Sequence, residues 1–266
     1  MEIMIIEFLI IGNEILIGKT QDTNSNWLAK RITKLGHQIT RITTIGDDLS
    51  VISSALKEIL KRKPDIIITS GGLGPTFDDM TLKGVSMALD RELDLDQNAY
   101  DSIKKAYEAA FERGILKMEG MTPEREKMAY LPKGGIPLPN TVGTAPGVKL
   151  TESKTTIFCL QGVPAELKST FRNTILPYLS KKRGKFIEKG FIFEGIGESQ
   201  MAPYVSKLEE KYPQLWIKTH PRIGLSVEVE LSVTCFNIEN GEELADKVIE
   251  ELKKTIISLH GKIKTI

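Results

Sequence analysis

The segment Thr69-Ser70-Gly71-Gly72-Leu73-Gly74-Pro75-Thr76-Phe77-Asp78-Asp79-Met80-Thr81 carries the strongest chemical signal in this chain of 266 residues. It follows an apolar run of strand length and precedes a stretch of helical period. Its glycines allow a tight turn and close approach to a ligand, and the helix start beyond offers unpaired amides at a positive dipole end. That combination suits a phosphate. It is not a Walker loop, because no GK[ST] follows, and the GxGxxG of a dinucleotide fingerprint is absent. The alternative is a plain glycine turn with Asp78 or Asp79 serving only as a helix cap. The paired aspartates beside Thr81 favour the ligand.

Three weaker clusters accompany it. Gly12, Asn13 and Glu14, followed by Gly18, Lys19, Asp22 and Asn24, lie after the first strand-like run; Asp22 by itself reads as a helix cap and Glu14 as either a site carboxylate or a solvated charge. Gly46-Asp47-Asp48 ends the second such run, with Asp48 placed to cap the next helix and Asp47 free to face a crevice. Ligands of open parallel sheets collect outside the carboxyl ends of the strands, which is where all three segments end. If Glu14, Asp47 and Asp78 converge there, their repulsion demands a divalent cation or raised pKa values. A metal at Asp47 and Asp78 is the simpler answer for a pyrophosphate, since it would screen charge and activate water. The last cluster, Asn140 to Gly147 (NTVGTAPG), is either a ligand-facing loop or a plain connection. His37, His220 and His260 lack ligand spacing and read as structural or exposed, so no Ser/His/Asp or Cys/His set is nominated.

Positioning such clusters takes a scaffold, and the chain supplies one. Up to about residue 90, strand-length apolar runs alternate with amphipathic helices, the pattern of a parallel sheet covered by helices. The expected strands are Ile3 to Ile11, Gln38 to Ile45 and Asp65 to Thr69. The expected helices are residues 24–35, capped by Thr23 or Asn24, then Leu49 to Leu60 and Met80 to Leu89. Residues 97–113 predict a helix, a short one starts at Pro123, and the Pro/Gly-rich stretch from Leu131 to Gly147 is expected to be largely loop. Strand Thr155 to Leu160 and a helix from GVPAEL toward Tyr178 complete the first part. KKRGK at 181–185 reads as a linker. A βαββα module then follows: Phe186 to Gly195, Glu198 to Tyr212, Leu215 to Thr219, Leu225 to Phe236 and Glu242 to His260. Cys159 and Cys235 lie in apolar strand-like runs and read as core residues in a reducing compartment.

Composition narrows the class. Lys and Arg number 36 against 35 Asp and Glu, a formal charge of +1, with the signs interspersed. Neither nucleic acid nor an anionic membrane is suggested as the main partner. The N-terminal apolar run is broken by Glu7 and has no basic flank, so it reads as a strand and not a signal peptide, and no segment approaches the ~20 apolar residues of a membrane span. A soluble, cytoplasmic protein is expected.

IGNEILIGKTQDTNSNWLAKRITKLGHQITRITTIGDD, SGGLGPTFDDMT, PNTVGTAPG and GVPAEL occur in the order and spacing of the N-terminal region of the CinA family, part of the wider molybdopterin-binding, or molybdenum-cofactor biosynthesis, domain superfamily. The resemblance covers about residues 3–176. It implies an α/β fold, a three-layer α/β/α molybdopterin-binding-like domain with a mostly parallel sheet over residues 1–178, followed by a small α/β domain over residues 186–266. It also implies a homodimer and an ADP-ribose pyrophosphatase activity dependent on a divalent metal (Mg²⁺, Co²⁺ or Ni²⁺). Carried over by motif, Gly71, Gly72, Gly74, Thr76 and Asp78 fall on the phosphate loop, Asp47 on the acidic position after strand two, and Asn140, Gly143, Pro146 and Gly147 on a ligand-facing loop. Glu14 and Asp22 match the first motif. The nicotinamide-mononucleotide deamidase domain of full-length CinA lies beyond the resemblance, so deamidation is not expected. Ser70 replaces a threonine, and Gln161 stands where proline is usual and is expected only to loosen a turn. The expected function is hydrolysis of ADP-ribose or a related nucleotide diphosphate, with Asp47 and Asp78 as metal ligands and Glu14 as general base. Adenylyl transfer to molybdopterin and non-catalytic binding of a nucleotide or pterin are the alternatives.

Overall fold

The computed structural model describes residues 3–182, 184–222 and 228–264. The chain divides into two units, one taking the described residues up to Thr33 and from His37 to Lys182, the other Lys34–Gly36 and the described residues from Gly184 onward.

In the first unit, the elements in chain order are β1 (Ile5–Ile11), α1 (Asn13–Leu16), α2 (Thr23–Thr33), β2 (Gln38–Ile45), α3 (Leu49–Lys61), β3 (Ile66–Ser70) and α4 (Thr81–Leu89). Then come β4 (Leu93–Leu95), α5 (Gln97–Glu112), α6 (Pro123–Lys127), β5 (Tyr130–Pro132), β6 (Ile136–Leu138), β7 (Gly147–Glu152) and β8 (Thr155–Leu160). A last helical run comprises α7 (Pro164–Thr170), a π-helical turn (Phe171–Ile175) and α8 (Leu176–Ser180). The six-stranded sheet has the order β2-β1-β3-β8-β7-β6, with β2, β1, β3 and β8 parallel and β7 and β6 antiparallel. Central strands β3 and β8 are buried throughout, as their uninterrupted apolar runs require when helices cover both faces. Leu9, Ile11, Ile52, Leu56, Ile67, Val85, Ile103 and Ile157 belong to one core cluster.

Most expected elements are present within a residue or two. The stretch from Leu131 to Gly147 is less loop-like than composition suggested, since it holds β6 and the end of β5. Pro137 fits in β6 because that strand is the sheet's edge, where a missing N–H costs no ladder bond. The helix expected through Leu35 ends at Thr33, and its cap is the Asp22 carboxylate, which accepts from the Ser25 amide at 3.0 Å, instead of Thr23 or Asn24. Asp48 caps α3 as expected, accepting from the amides of Ser50 and Val51.

The second unit holds β9 (Phe186–Glu194), α9 (Glu198–Lys211), β10 (Trp216–Arg222), β11 (Glu228–Phe236), α10 (Gly241–Ser258) and β12 (Lys262–Lys264). Its antiparallel sheet has the order β10-β11-β9-β12 and packs against a separate core including Phe193, Leu231, Val248 and Leu252. β12, paired with β9, extends the expected βαββα pattern. The start of the expected strand at Leu225 lies outside the described residues.

His37 and the cysteines are structural. The buried His37 ring accepts from the Met4 amide through Nδ1 and donates from Nε2 to the Leu179 carbonyl, and burial holds its pKa below the ordinary histidine value. Cys159 is buried and its thiol is pushed up to about 12 by burial; Cys235 is buried too. Among the described residues no helix is long and apolar enough to cross a membrane.

Candidate phosphate crevice at the carboxyl ends of the parallel strands

β3 leaves the sheet into the glycine loop through a turn that only glycine fits. Gly71 has φ +110° and Gly72 φ +67°, and a Cβ on them would stand 2.1 Å from the Ile11 carbonyl oxygen and 2.3 Å from Thr81 Oγ1. The space left by these two missing side chains is therefore filled by the protein itself. Thr81 Oγ1 donates to the Gly71 carbonyl at 2.7 Å and the Thr81 amide to the Gly72 carbonyl at 3.1 Å, which seats the loop on the first turn of α4. What the loop can offer a ligand is backbone N–H. The Gly71 amide is spent on Leu160 and that of Thr76 on Asp79, whereas the amides of Gly72, Leu73 and Gly74 donate no hydrogen bond among the described residues.

The two aspartates differ in duty, and neither caps α4. Asp79 folds back on the loop, with its Oδ2 accepting from the Thr76 amide at 2.9 Å and standing 2.6 Å from Thr76 Oγ1. Asp78 is exposed; the Thr76 hydroxyl, 2.5 Å from Oδ1, holds its carboxyl below the usual range, helped by its own backbone amide and by Lys127. Met80 occupies the cap position without a side-chain bond. Across the crevice, Asp47 Oδ2 accepts from the Asn13 amide at 2.7 Å, and the Asn13 carboxamide oxygen accepts in return from the Asp47 amide at 3.3 Å. Burial pushes the Asp47 carboxyl up, the Asn13 bond opposes it, and repulsion from Glu14, Asp78 and Asp79 adds to the rise. That repulsion is the mark of converging carboxylates.

These groups line one crevice of about 500 Å³. Glu14, Asp47, Gly71, Gly72, Gly74, Thr76 and Asp78, the site residues expected from sequence, share it with Asp79, Thr144 and Gln161, which sequence places in other roles, and with Glu166, which it does not single out. Five carboxylates and no Lys or Arg stand along its wall. On the other side of the loop lies a pocket of about 570 Å³, lined by Leu49, Leu73, Phe77, Leu82, Met128 and Tyr130 with Lys127 and Glu126, and it shares Gly72, Leu73, Gly74 and Asp79 with the crevice.

The Asn140–Gly147 loop reaches the crevice through Thr144 and Ala145, not through the four residues its motif singled out. Asn140 spends its polar atoms internally: Oδ1 accepts from the amides of Val142 and Gly143 at 3.1 and 2.9 Å, and Nδ2 donates to the Ala145 carbonyl at 2.9 Å and to Glu166 Oε2 at 2.6 Å. Pro146 and Gly147 are buried where β7 begins, Gly147 pairing with Leu138, and neither borders the crevice. Thr144 and Ala145 are the loop's contribution to the wall. Gln161 does more than loosen a turn. Its buried Nε2 donates to the Ala145 carbonyl at 2.9 Å and its Oε1 accepts from Thr170 at 3.2 Å, tying this loop to α7. Asn24, expected as a cap, is buried instead and donates to Ser70 Oγ and the Gly162 carbonyl, joining the ends of β3 and β8.

A cation can be weighed against this wall. Among the described residues no three Asp, Glu, His or Cys side chains form an all-protein metal cage. The oxygen donors fit a hard divalent ion of the Mg²⁺ kind, which keeps several waters and needs only one or two carboxylates when substrate phosphates supply the rest. A phosphate entering alone would meet a wall of mostly like charge, relieved only by Lys127 where it donates to the Thr76 carbonyl at one end.

A mostly parallel sheet, a glycine turn at its central strand and a crevice at the strand ends define an α/β protein with room for a small molecule where such folds take their ligands. The model of the probable molybdopterin-binding domain family matches residues 7–181, and the chain belongs to that family, as a CinA-like member. A protein of Sulfurisphaera tokodaii is 41% identical over 268 residues, covering 99% of both chains, and one of Pyrococcus abyssi is 39% identical over 95% of this chain and 97% of its own. The crystal structure of CinA, with unknown function, from Thermoplasma acidophilum is 35% identical and superposes with a TM-score of 0.59, covering 65% of this chain and 98% of that one.

Proposed function

We propose that the protein is a divalent-metal-dependent hydrolase of the pyrophosphate in ADP-ribose or a related nucleotide diphosphate. The observation that carries this reading is the pairing of free amides at Gly72, Leu73 and Gly74 with a crevice whose lining holds five carboxylates and no Lys or Arg. The amides suit the phosphate oxygens, and the carboxylates suit the cation that must accompany them. Asp47 and Asp78 would hold Mg²⁺, Co²⁺ or Ni²⁺, which when bound screens the phosphates and lowers the pKa of its water. A carboxylate of the wall takes the proton of the attacking water, Glu14 being the candidate that sequence named. The apolar pocket beyond the loop is the right kind of room for a heteroaromatic ring with a polar edge near Glu126 and Lys127.

Adenylyl transfer to molybdopterin is the second reading, favoured by family membership, since a pterin phosphate needs the same amides and the same apolar pocket. Incubating purified protein with ADP-ribose and each of the three metals is expected to yield AMP and ribose 5-phosphate by chromatography. No such product, together with adenylylated pterin from molybdopterin and ATP, reverses the ranking.

A further inference from the structure

We propose that Glu166, rather than Glu14, is the carboxylate that takes the proton from the attacking water, and that Asn140 is its positioning residue. This rests on the pyrophosphatase reading above. A general base must first be held in place, and the two candidates differ in that respect. Glu14 is exposed on the single turn of α1, and its carboxylate accepts no hydrogen bond among the described residues. Glu166 sits in the first turn of α7, is only partly exposed, and lines the same crevice.

Its setting is built from two sides. Asn140 Nδ2 donates to Oε2 at 2.6 Å, and Asn140 is itself fixed by three further bonds to its own loop. Gly143 faces the carboxyl so closely that a Cβ there would stand 2.2 Å from Cδ, so a glycine is what admits the group. Oε1 accepts no hydrogen bond among the described residues, which leaves it for a water.

The other carboxylates along the same crevice are Glu14, Asp47, Asp78 and Asp79, and the cations on the elements packed here include Lys168 on its own helix and Arg31 on α2, which packs against α7. Both cations lie over the Trp27 ring, 5.7 and 5.4 Å from its centroid. Burial pushes the Glu166 carboxyl up from the usual carboxylate range, against the opposing bond from Asn140. A base whose pKa lies nearer the working pH transfers protons more effectively.

In the step itself, the water oxygen forms a bond to one phosphorus and the bond from that phosphorus to the bridging oxygen breaks, its electron pair leaving on that oxygen. The water proton goes to Glu166 and from there to solvent, giving two phosphate monoesters with no other reactant.

The test measures ADP-ribose hydrolysis with Mg²⁺ across pH for the native protein, Glu166→Gln, Glu166→Asp and Asn140→Ala, with folding checked by circular dichroism melting. Glu166→Gln is expected to lower kcat about 100-fold with KM unchanged and to abolish the acid limb of the pH profile. Glu166→Asp should keep part of the rate and the limb, and Asn140→Ala should move that limb to a different pH. A folded Glu166→Gln variant with native kcat and an intact acid limb overturns the inference while leaving the pyrophosphatase reading standing. Absence of hydrolysis by the native protein under every metal overturns the reading itself, and the role of Glu166 with it.

Discussion

The two ends of the parallel sheet in the first unit are treated in opposite ways. At the amino ends the strand starts are tied down. His37 accepts from Met4, Asp65 Oδ2 accepts from the Ile5 amide at 2.7 Å, and Thr155 Oγ1 donates to the Pro64 carbonyl at 2.7 Å. At the carboxyl ends the amides of Gly72 to Gly74 donate to no partner among the described residues and like charges are gathered. One edge spends its polar groups on the fold and contributes stability; the other leaves three loop amides and a set of carboxylates open for a ligand. Loop amides left without a partner at a strand end are thus a better guide to function than the sheet's composition.

If this division holds, substitutions at the two ends should separate turnover from stability. The largest effect belongs to Asp78→Asn, expected to cut ADP-ribose turnover at least ~100-fold, roughly 2.7 kcal/mol of transition-state stabilisation, while the melting temperature stays at the native value because Asp78 is exposed. Native turnover in that variant would remove Asp78 from the site. Next comes His37→Ala at the other end, which removes a buried ring and two hydrogen bonds and should cost about 2–3 kcal/mol in urea unfolding with kcat unchanged. A loss of activity without a loss of stability there would break the comparison. Asp65→Asn is smaller, about 1 kcal/mol, again with native turnover.

The smallest effect is a pH dependence. Burial places the His37 pKa in the folded protein below the value of 6.5 that the free side chain has. Such a group contributes stability that is present above 6.5 and is lost as pH falls toward the folded pKa, because the unfolded chain then binds the extra proton. The urea midpoint should fall between about pH 7.5 and about pH 5, and His37→Gln should flatten that fall. An equal fall in the variant would assign it to other groups.

Much of this was legible from sequence. The unbroken run IIITS announces a strand covered on both faces, and the acidic groups at the exits of β1, β2 and β3 could be placed at one edge because parallel strands bring their carboxyl ends together. Short elements set by tertiary pairing were not legible. β6 is a strand only because β7 lies beside it, and β12 only because β9 does. Glu7 is a carboxylate in a buried apolar run, and the reason for it, Arg62 at the end of α3 donating to both of its oxygens, is 55 residues away.

The site shows the same limit. GVPAEL looks like an ordinary helix start, and the arrangement around Glu166 comes from Asn140, 26 residues earlier, crossing to meet it. Conversely, Pro146 and Gly147 look like part of a flexible ligand loop, yet pairing with Leu138 makes that stretch the opening of a buried strand. The types of residue were readable; which of them spend their hydrogen bonds on one another was not.

Calorimetric titration of ADP-ribose into the native protein, with Mg²⁺ present and after chelation, tests the crevice most directly. With the metal, saturable binding at one site per chain is predicted, and removing it should weaken affinity at least ~10-fold because the phosphates then face the carboxylates unscreened. Equal affinity in the two conditions, or no binding in either, would contradict the claim that this crevice takes a metal-bound pyrophosphate.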